Sequence, residues 1–441
     1  MTWGRFSLSL GLRFDVEDSR AKNEHQPAAP FLSQYLGDIT LTEAKPPKTL
    51  NTFSPRLSLI YDLIGDGKNV FKLNLARYGG QNGYSLGNFI NPVGWREIDL
   101  RWVDKNGDKR VQSDELFGTN WDTGEPTEDP LNPDGWSYYS GFDPANPLSI
   151  TPFNKVDRDY SAQILDELSV SFEREILSDF VAELELFYKK YHNVTWDKGI
   201  LPDGSIETKD NYYVAGHNSL LNKDYPGRRV YPSAYYRTNS KNQYTRYIGG
   251  GLVLKKRLSN NWMLDGSFMY MDWKWFYGGD YLNPLNVDYY DGGVEAPQSG
   301  GSGFVDVFVN SRWMAKLTGL YQFPLGINGS FTFIAREGYV MPTYIQVSMP
   351  RIGRRNLLGK VGGGGKFGDT RLPNFAELNL RVEKVFKIGE ATNVVVAADA
   401  FNALNSNTAL SKLGLITSSN YNKTQRILNP RVFRFGIRFT F

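Results

Sequence analysis

Arg434-Phe435-Gly436-Ile437-Arg438-Phe439-Thr440-Phe441 closes a chain of 441 residues. Together with Phe433, it places Phe433, Phe435, Ile437, Phe439 and Phe441 on one side of a period-two ribbon. Arg434, Gly436, Arg438 and Thr440 fall on the other, because successive strand side chains point to opposite faces. One face suits hydrocarbon and the other suits water. A soluble domain gains little by ending on Phe in so apolar a strand, whereas a strand in a bilayer must leave no backbone edge unpaired. The alternative is the last strand of a soluble β-sandwich.

Composition narrows the classes. The formal net charge of +3 gives no argument for nucleic acid or for acidic partners. Cysteine is absent, which excludes thiolate metal sites and disulfide scaffolds and suits an envelope compartment. The 26 Tyr, 27 Phe, 10 Trp and 44 Gly point to a β-rich chain with polar loops. No stretch approaches the ~20 apolar residues of a membrane-spanning helix. The N-terminus runs from Met1-Thr2-Trp3-Gly4-Arg5 directly into a strand, without a basic and apolar leader. A barrel needs export, so the sequence is expected to be incomplete at its start.

Alternation of this kind recurs twelve times. Leu8, Leu10, Leu12 and Phe14 begin the series, and further ribbons centre on Leu59, Leu73, Val170, Leu186, Leu252, Phe268, Leu317, Phe331, Leu380, Val396 and the closing stretch. Short turns alternate with long Gly/Pro/Asn/Tyr-rich segments at 15–52, 79–162, 193–241, 273–311, 338–373 and 402–427. Structureless loops of that length are rare in compact soluble domains, whereas short periplasmic turns and long extracellular loops are how outer-membrane barrels are wired. The expected fold is all-β: an antiparallel transmembrane β-barrel portion of about twelve strands. Opposite the apolar faces stand Arg13, Lys72, Asn74, Glu167, Glu183, Glu185, Lys316, Glu377, Asn379, Arg381 and Asp399, so the lumen is expected to be polar.

A family resemblance rests on three segments and the tail. Ser54-Pro55-Arg56-Leu57-Ser58-Leu59-Ile60-Tyr61-Asp62-Leu63 followed by Gly65-Asp66-Gly67-Lys68, then Asp399-Ala400-Phe401-Asn402-Ala403-Leu404-Asn405, then Leu428-Asn429-Pro430-Arg431 resemble the barrel of TonB-dependent outer-membrane receptors, the Oar-like branch in particular. The tail resembles the signal read by the barrel assembly machinery, with Arg434, Gly436, Phe439 and Phe441 at its specified positions. The resemblance covers residues 1–441 as the C-terminal part of such a receptor. It implies a bacterial outer-membrane location, twenty-two strands in the whole barrel, an unknown ligand bound at extracellular loops and no enzymatic activity. Outer-membrane lipid and lipopolysaccharide would be neighbours, and the TonB complex would act through an N-terminal plug and contact segment that this sequence lacks. A self-contained twelve-stranded pore or enzyme, and a soluble calcium-stapled carbohydrate-binding β-protein, remain alternatives.

Two candidate sites stand out. Residues 104–115 offer calcium-loop oxygens from Asp104, Asn106, Asp108, the Arg110 carbonyl, Gln112 and Glu115. Lys109 stands where that loop wants glycine, and a solvated Asn-Gly turn explains the same residues. The cation would be structural Ca2+ stapling an extracellular loop. Trp273, Trp275, Tyr277 and Tyr281 crowd one segment, either as a stacking platform for ligand or as an aromatic girdle at the membrane interface. The loops also differ in charge: ten Asp/Glu against three Lys/Arg over 104–143, and six Lys/Arg against Asp369 over 351–371. The basic loop could pair with the acidic one or meet lipopolysaccharide phosphates. No catalytic constellation is evident.

Overall fold

The computed structural model describes residues 2–82, 85–93, 96–119, 126–127, 138–149, 154–230, 232, 234–277, 295–297, 299–300, 308–350, 352–362, 367–388 and 392–441. Each of the twelve ribbons is a strand: β1 (Phe6–Glu17), β2 (Leu50–Asp62), β3 (Asn69–Gly79), β4 (Ile164–Leu177), β5 (Phe180–His192), β6 (Tyr244–Ser259), β7 (Trp262–Phe276), β8 (Trp313–Phe323), β9 (Ile327–Arg336), β10 (Phe375–Ile388), β11 (Thr392–Phe401) and β12 (Val432–Thr440). They pair in chain order as one antiparallel meander. The short strand Thr2–Trp3 adds to the edge of β1, and Glu295–Pro297 adds to the end of β7. Among the described residues no pairing joins β1 to β12.

Turn chemistry sets the short end. Between β6 and β7, Asn260 and Asn261 both have positive φ, 51° and 68°. Two left-handed residues match the twist of a tight hairpin, and Asn tolerates that conformation better than most side chains. Asp179 (φ 64°) does the same between β4 and β5. In the β2–β3 turn the Asp62 carboxylate accepts from the Gly65 and Gly67 N–H groups at 2.9 and 2.7 Å.

Register then separates the faces. Leu8, Leu59, Leu73, Val170, Leu186, Gly250, Tyr270 and Trp313 stand opposite one another in turn across eight strands. On the far half, Phe331, Leu380, Ala400 and Phe433 do so. Much of this face is not covered by protein: Leu10 is 69 % exposed, Leu184 53 % and Phe435 80 %. A single sheet cannot bury its own faces, so an apolar face of this extent needs an apolar surrounding. Along β7 the face runs from Trp262 to Tyr270, eight residue steps or about 26 Å at ~3.3 Å each. That matches an outward apolar band about 25 Å tall, flanked by aromatic girdles. No described helix is long and apolar enough to cross a membrane.

The buried apolar clusters lie in the long connections and at the loop-side start of β2, not across the middle of the sheet. Ile39, Leu41, Leu50, Leu86, Ile90, Val156 and Tyr160 form one, bringing the β1–β2 and β3–β4 connections together. Leu221, Ile345, Met349, Ile352 and Leu357 form another, between the β5–β6 and β9–β10 connections. The expectation of irregular loops is therefore corrected. They carry hairpins of their own, such as Tyr212–Asn218 with Lys223–Arg228 and Tyr344–Met349 with Gly353–Leu358, and a short helix at Ser85–Phe89. Burying these apolar residues offsets the entropy of ordering the connections.

Candidate functional site

The polar face is paired from strand to strand. Lys72 Nζ reaches Glu173 at 2.6 Å and Glu183 at 3.2 Å, and Ser171 Oγ donates to Glu183 at 2.8 Å. Lys189 and Glu167 are 2.9 Å apart. A recess of about 480 Å³ opens among Lys72, Asn74, Glu167, Glu185, Phe187 and Tyr247. Near the last strand, Asp399 of β11 accepts from Arg381 of β10 at 3.1 Å and from Arg434 of β12 at 2.9 Å. Charged side chains here compensate one another, as a water-lined surface at membrane depth requires.

At the loop end this face turns aromatic. Trp273 pairs across the ladder with Tyr247 and Trp275 with Thr245. Both tryptophans have the parity of Met269 and Met271, opposite to that of Phe268 and Tyr270, so they sit on the polar face. The girdle reading of Trp273 and Trp275 is thereby corrected, since a girdle must face lipid. Tyr247 stacks on Phe187 at 5.3 Å between centroids and meets Trp273 edge-on at 6.4 Å. Trp275 stacks on Tyr277 at 5.6 Å. The indole N–H groups of Trp273 and Trp275 are buried and have no hydrogen-bond acceptor among the described residues, a condition that costs free energy unless a further group supplies one. Tyr281 lies outside the described residues. Phe187 and Tyr247 escaped sequence reasoning because their place depends on register, although parity counted from Tyr270 would have assigned Trp273 its face.

Just beyond β8 and β9 sits an ion cluster. The Arg312 side chain donates to Glu337 at 2.5, 2.9 and 3.1 Å and its backbone N–H at 2.8 Å, and Arg371 approaches Glu337 at 3.1 Å. Burial alone would raise the Glu337 carboxyl. Hydrogen bonds from the Arg312 side chain and backbone, with the Arg371 charge, hold it below the usual carboxylate range. Arg371 is thus committed within the basic loop, and Arg354 bonds Gln346 at 2.5 Å. Arg351 and Lys366 lie outside the described residues, as does much of the acidic loop. None of the ion pairs among the described residues joins the two loops.

Residues 104–115 fold as a compact turn. Asp104 accepts from the Gly107 and Lys109 N–H groups at 2.7 and 2.9 Å, and Asp108 accepts from the Arg110 N–H at 2.7 Å. Lys109, at the glycine position, takes φ 59°. Asn106, Asp108 and Gln112 converge through amide contacts of 2.7 to 3.3 Å. Glu115 is 1 % exposed. Its oxygens accept from Trp102 Nε1 at 3.0 Å and from the Lys105 and Gln112 N–H groups at 2.9 and 3.2 Å, which ties both ends of the turn together. No group of three or more His, Asp or Glu among the described residues is arranged to hold a metal. The side-chain oxygens that converge belong to Asn106, Asp108 and Gln112, and Glu115 serves the turn itself.

In the closing strand, Phe439 and Phe441 are 65 % and 97 % exposed on the apolar face. A Cβ added at Gly436 would meet nothing within 4 Å. Packing within this chain therefore gives no reason for glycine there, and Arg434 has a structural partner in Asp399.

The fold defines a class: an antiparallel wall with one apolar and one polar face, short turns at one end and folded loops at the other. No family model and no curated protein matches the sequence. Among solved structures, the chain is similar to the ferric-catecholate import receptor Fiu of E. coli K12, at 11 % identity over 99 % of this chain and 42 % of that one, with a TM-score of 0.46. It is also similar to the ferric enterobactin receptor PfeA of Pseudomonas aeruginosa, at 13 % identity over 88 % and 40 %, TM-score 0.43. The outer membrane transporter YddB of Escherichia coli gives 11 % identity over 100 % and 52 %, TM-score 0.41. The chain spans about half the length of these proteins or less.

Proposed function

We propose that the chain is barrel wall of a bacterial outer-membrane receptor of the TonB-dependent kind, Oar-like in its motifs, and not an enzyme. The apolar face would meet outer-membrane lipid, the polar face would line the lumen, and the folded loops would stand outside the cell. The observation that carries this is the Trp262-to-Tyr270 band, of bilayer height, backed by the paired charges on the opposite face. The outer edges of β1 and β12 would have to meet further strands, since an open edge is not tolerated in hydrocarbon.

Ligand would enter past the patch of Phe187, Tyr247, Trp273, Trp275 and Tyr277. Aromatic planes at the loop end offer stacking area, and the two free indole donors offer hydrogen bonds to an acceptor-rich ligand. Energy from the TonB complex would act on a plug within the whole receptor, and the barrel assembly machinery would read the tail. Flotation of the protein with phospholipid vesicles, resistant to alkaline extraction, is the expected result. Recovery in the soluble fraction would rule the reading out.

A calcium staple at 104–115 remains part of this proposal. A cation would replace the amide contacts between Asn106, Asp108 and Gln112, with Asp104 and the Arg110 carbonyl beside it. Adding calcium should then slow proteolysis of this loop in the parent and leave an Asp104→Ala/Asp108→Ala variant unaffected. Equal response in both would exclude the staple.

A further inference from the structure

We infer that Met269, Met271 and Met314 form a site on the polar face for a soft monovalent cation of the copper(I) or silver(I) class; this rests on the reading of that face as lumen wall. Register sets Met269 of β7 directly opposite Met314 of β8, and Met271 stands two residues further along the same face of β7. Directly opposed strand side chains have Cβ atoms about 5 Å apart, and diagonal neighbours about 7–8 Å. Long, unbranched thioethers span such distances, so the three sulfurs lie within reach of one ion. All three side chains are half-buried, which keeps the patch open to the lumen. Thioether sulfur is a soft ligand that selects copper(I) over the harder cations. Because the chain has no cysteine, methionine is its only soft ligand.

The surroundings suit a cation. Met269 and Met271 face Gly251 and Gly249 across the β6–β7 ladder. A Cβ at Gly251 would collide with Met269 Sδ, so the glycine gives that sulfur its room. Beyond Gly251 in the same row stands Glu185 of β5, and Glu185 and Met269 line the recess of about 480 Å³ together. Lys72 and Lys189 of that recess are committed to Glu173, Glu183 and Glu167, which leaves Glu185 without a cationic partner among the described residues. Its carboxylate supplies the counter-charge that a metal cation needs. On the other side Met314 stands opposite Arg336, whose guanidinium is held 3.6 Å and 4.9 Å from the centres of the Tyr339 and Phe375 rings, Phe375 lying on β10. The Tyr247 hydroxyl donates to Met271 Sδ at 3.5 Å, so one of the three sulfurs already takes a polar partner. Methionine as a filler beneath the aromatic patch, the simpler reading, needs neither the open recess nor the unpaired carboxylate.

The test uses the whole purified protein inserted in phosphatidylcholine vesicles, in chloride-free buffer, with silver(I) nitrate as the probe. Isothermal titration should count one tightly held silver ion per chain on the parent, and X-ray absorption at the silver edge should show sulfur neighbours. Met269→Leu/Met271→Leu/Met314→Leu keeps the side-chain volume and removes the sulfurs, and should weaken that binding by about tenfold or more. Glu185→Gln should weaken it several-fold, and Met263→Leu, further along the same face of β7, should leave it unchanged. Silver bound equally by the parent and the triple variant would overturn the inference. So would an inserted parent that binds no silver, a result that needs no variant to fold. Zinc(II), which thioethers hold poorly, should bind the parent and the triple variant alike; a parallel loss of zinc would trace the effect to a distorted wall and overturn the inference too. Failure of the parent to insert would instead sink the lumen-wall reading, and the site with it.

Discussion

Trp273 meets Tyr247 edge-on across the β6–β7 ladder, with ring centroids 6.4 Å apart on the polar face, while Tyr270, three residues earlier on the same strand, looks out from the apolar face beside Trp313. One strand therefore carries aromatic residues to both sides. Those facing out fit an interface girdle, and those facing in fit a ligand platform.

The platform makes a prediction about ligand. In a panel of iron chelates, short peptides and oligosaccharides, a ligand that quenches the tryptophan emission should lose about 1–2 kcal/mol of affinity when Trp273→Phe removes an indole donor but keeps a ring. Tyr247→Ala should cost more, because the stack with Phe187 goes too. Vesicle insertion should be unchanged in both. Affinities insensitive to either change would place the ligand elsewhere.

Glu337 links the ends of β8 and β9 to the basic loop. Glu337→Gln should destabilise that loop by about 3 kcal/mol, because Arg312 and the largely buried Arg371 lose their counter-charge. Limited proteolysis within 337–374 reads the effect. The pH dependence has a defined sign. The folded carboxyl is held below its unfolded value, so its contribution is complete above the unfolded pKa of about 4.3. It fades as pH falls through the lowered folded value. Protection should be flat near neutrality and lost in acid, and Glu337→Gln should flatten that acid limb.

The Asn260-Asn261 turn gives a stability test far from any ligand. Asn260→Val, forcing a β-branched residue to φ near 51°, should cost about 1–2 kcal/mol in urea unfolding from vesicles. Asn261→Gly should be neutral or mildly stabilising. Equal losses from both would mean that the turn is not held left-handed.

In the tail, Phe441→Ser should lower assembly into outer membrane if the terminal aromatic is read by the assembly machinery, while leaving the Arg434–Asp399 pair intact. Arg434→Ala should act differently, weakening the attachment of β12 to β11 by leaving Asp399 with Arg381 alone. Heat-modified gel mobility after assembly separates a slow assembler from a loosened edge.

The twelve strands were legible because lipid on one side and water on the other force strict alternation, as in Leu8-Ser9-Leu10-Gly11-Leu12. The same parity, carried from Phe268 and Tyr270, would have placed Trp273 and Trp275 on the polar face; their position near a long loop obscured it. The loop cores were not legible. Ile345 and Leu221 meet through a packing that no local period announces, and Arg312 finds Glu337 and Arg371 only once two connections have folded. The 104–115 turn was recognisable by its spacing, but the commitment of Glu115 to Trp102 and two backbone N–H groups depends on geometry that spacing does not contain.

The central claim is that residues 262–276 cross a bilayer with even positions facing lipid and odd positions facing water. Because the chain has no cysteine, single cysteines placed along this strand in the vesicle-inserted protein report without background. From 262 to 271, even positions should be quenched by a probe confined to the lipid tails and odd positions should react with a water-soluble maleimide. Above Asp272 the lipid signal should cease. Uniform maleimide reactivity at both parities would contradict the account.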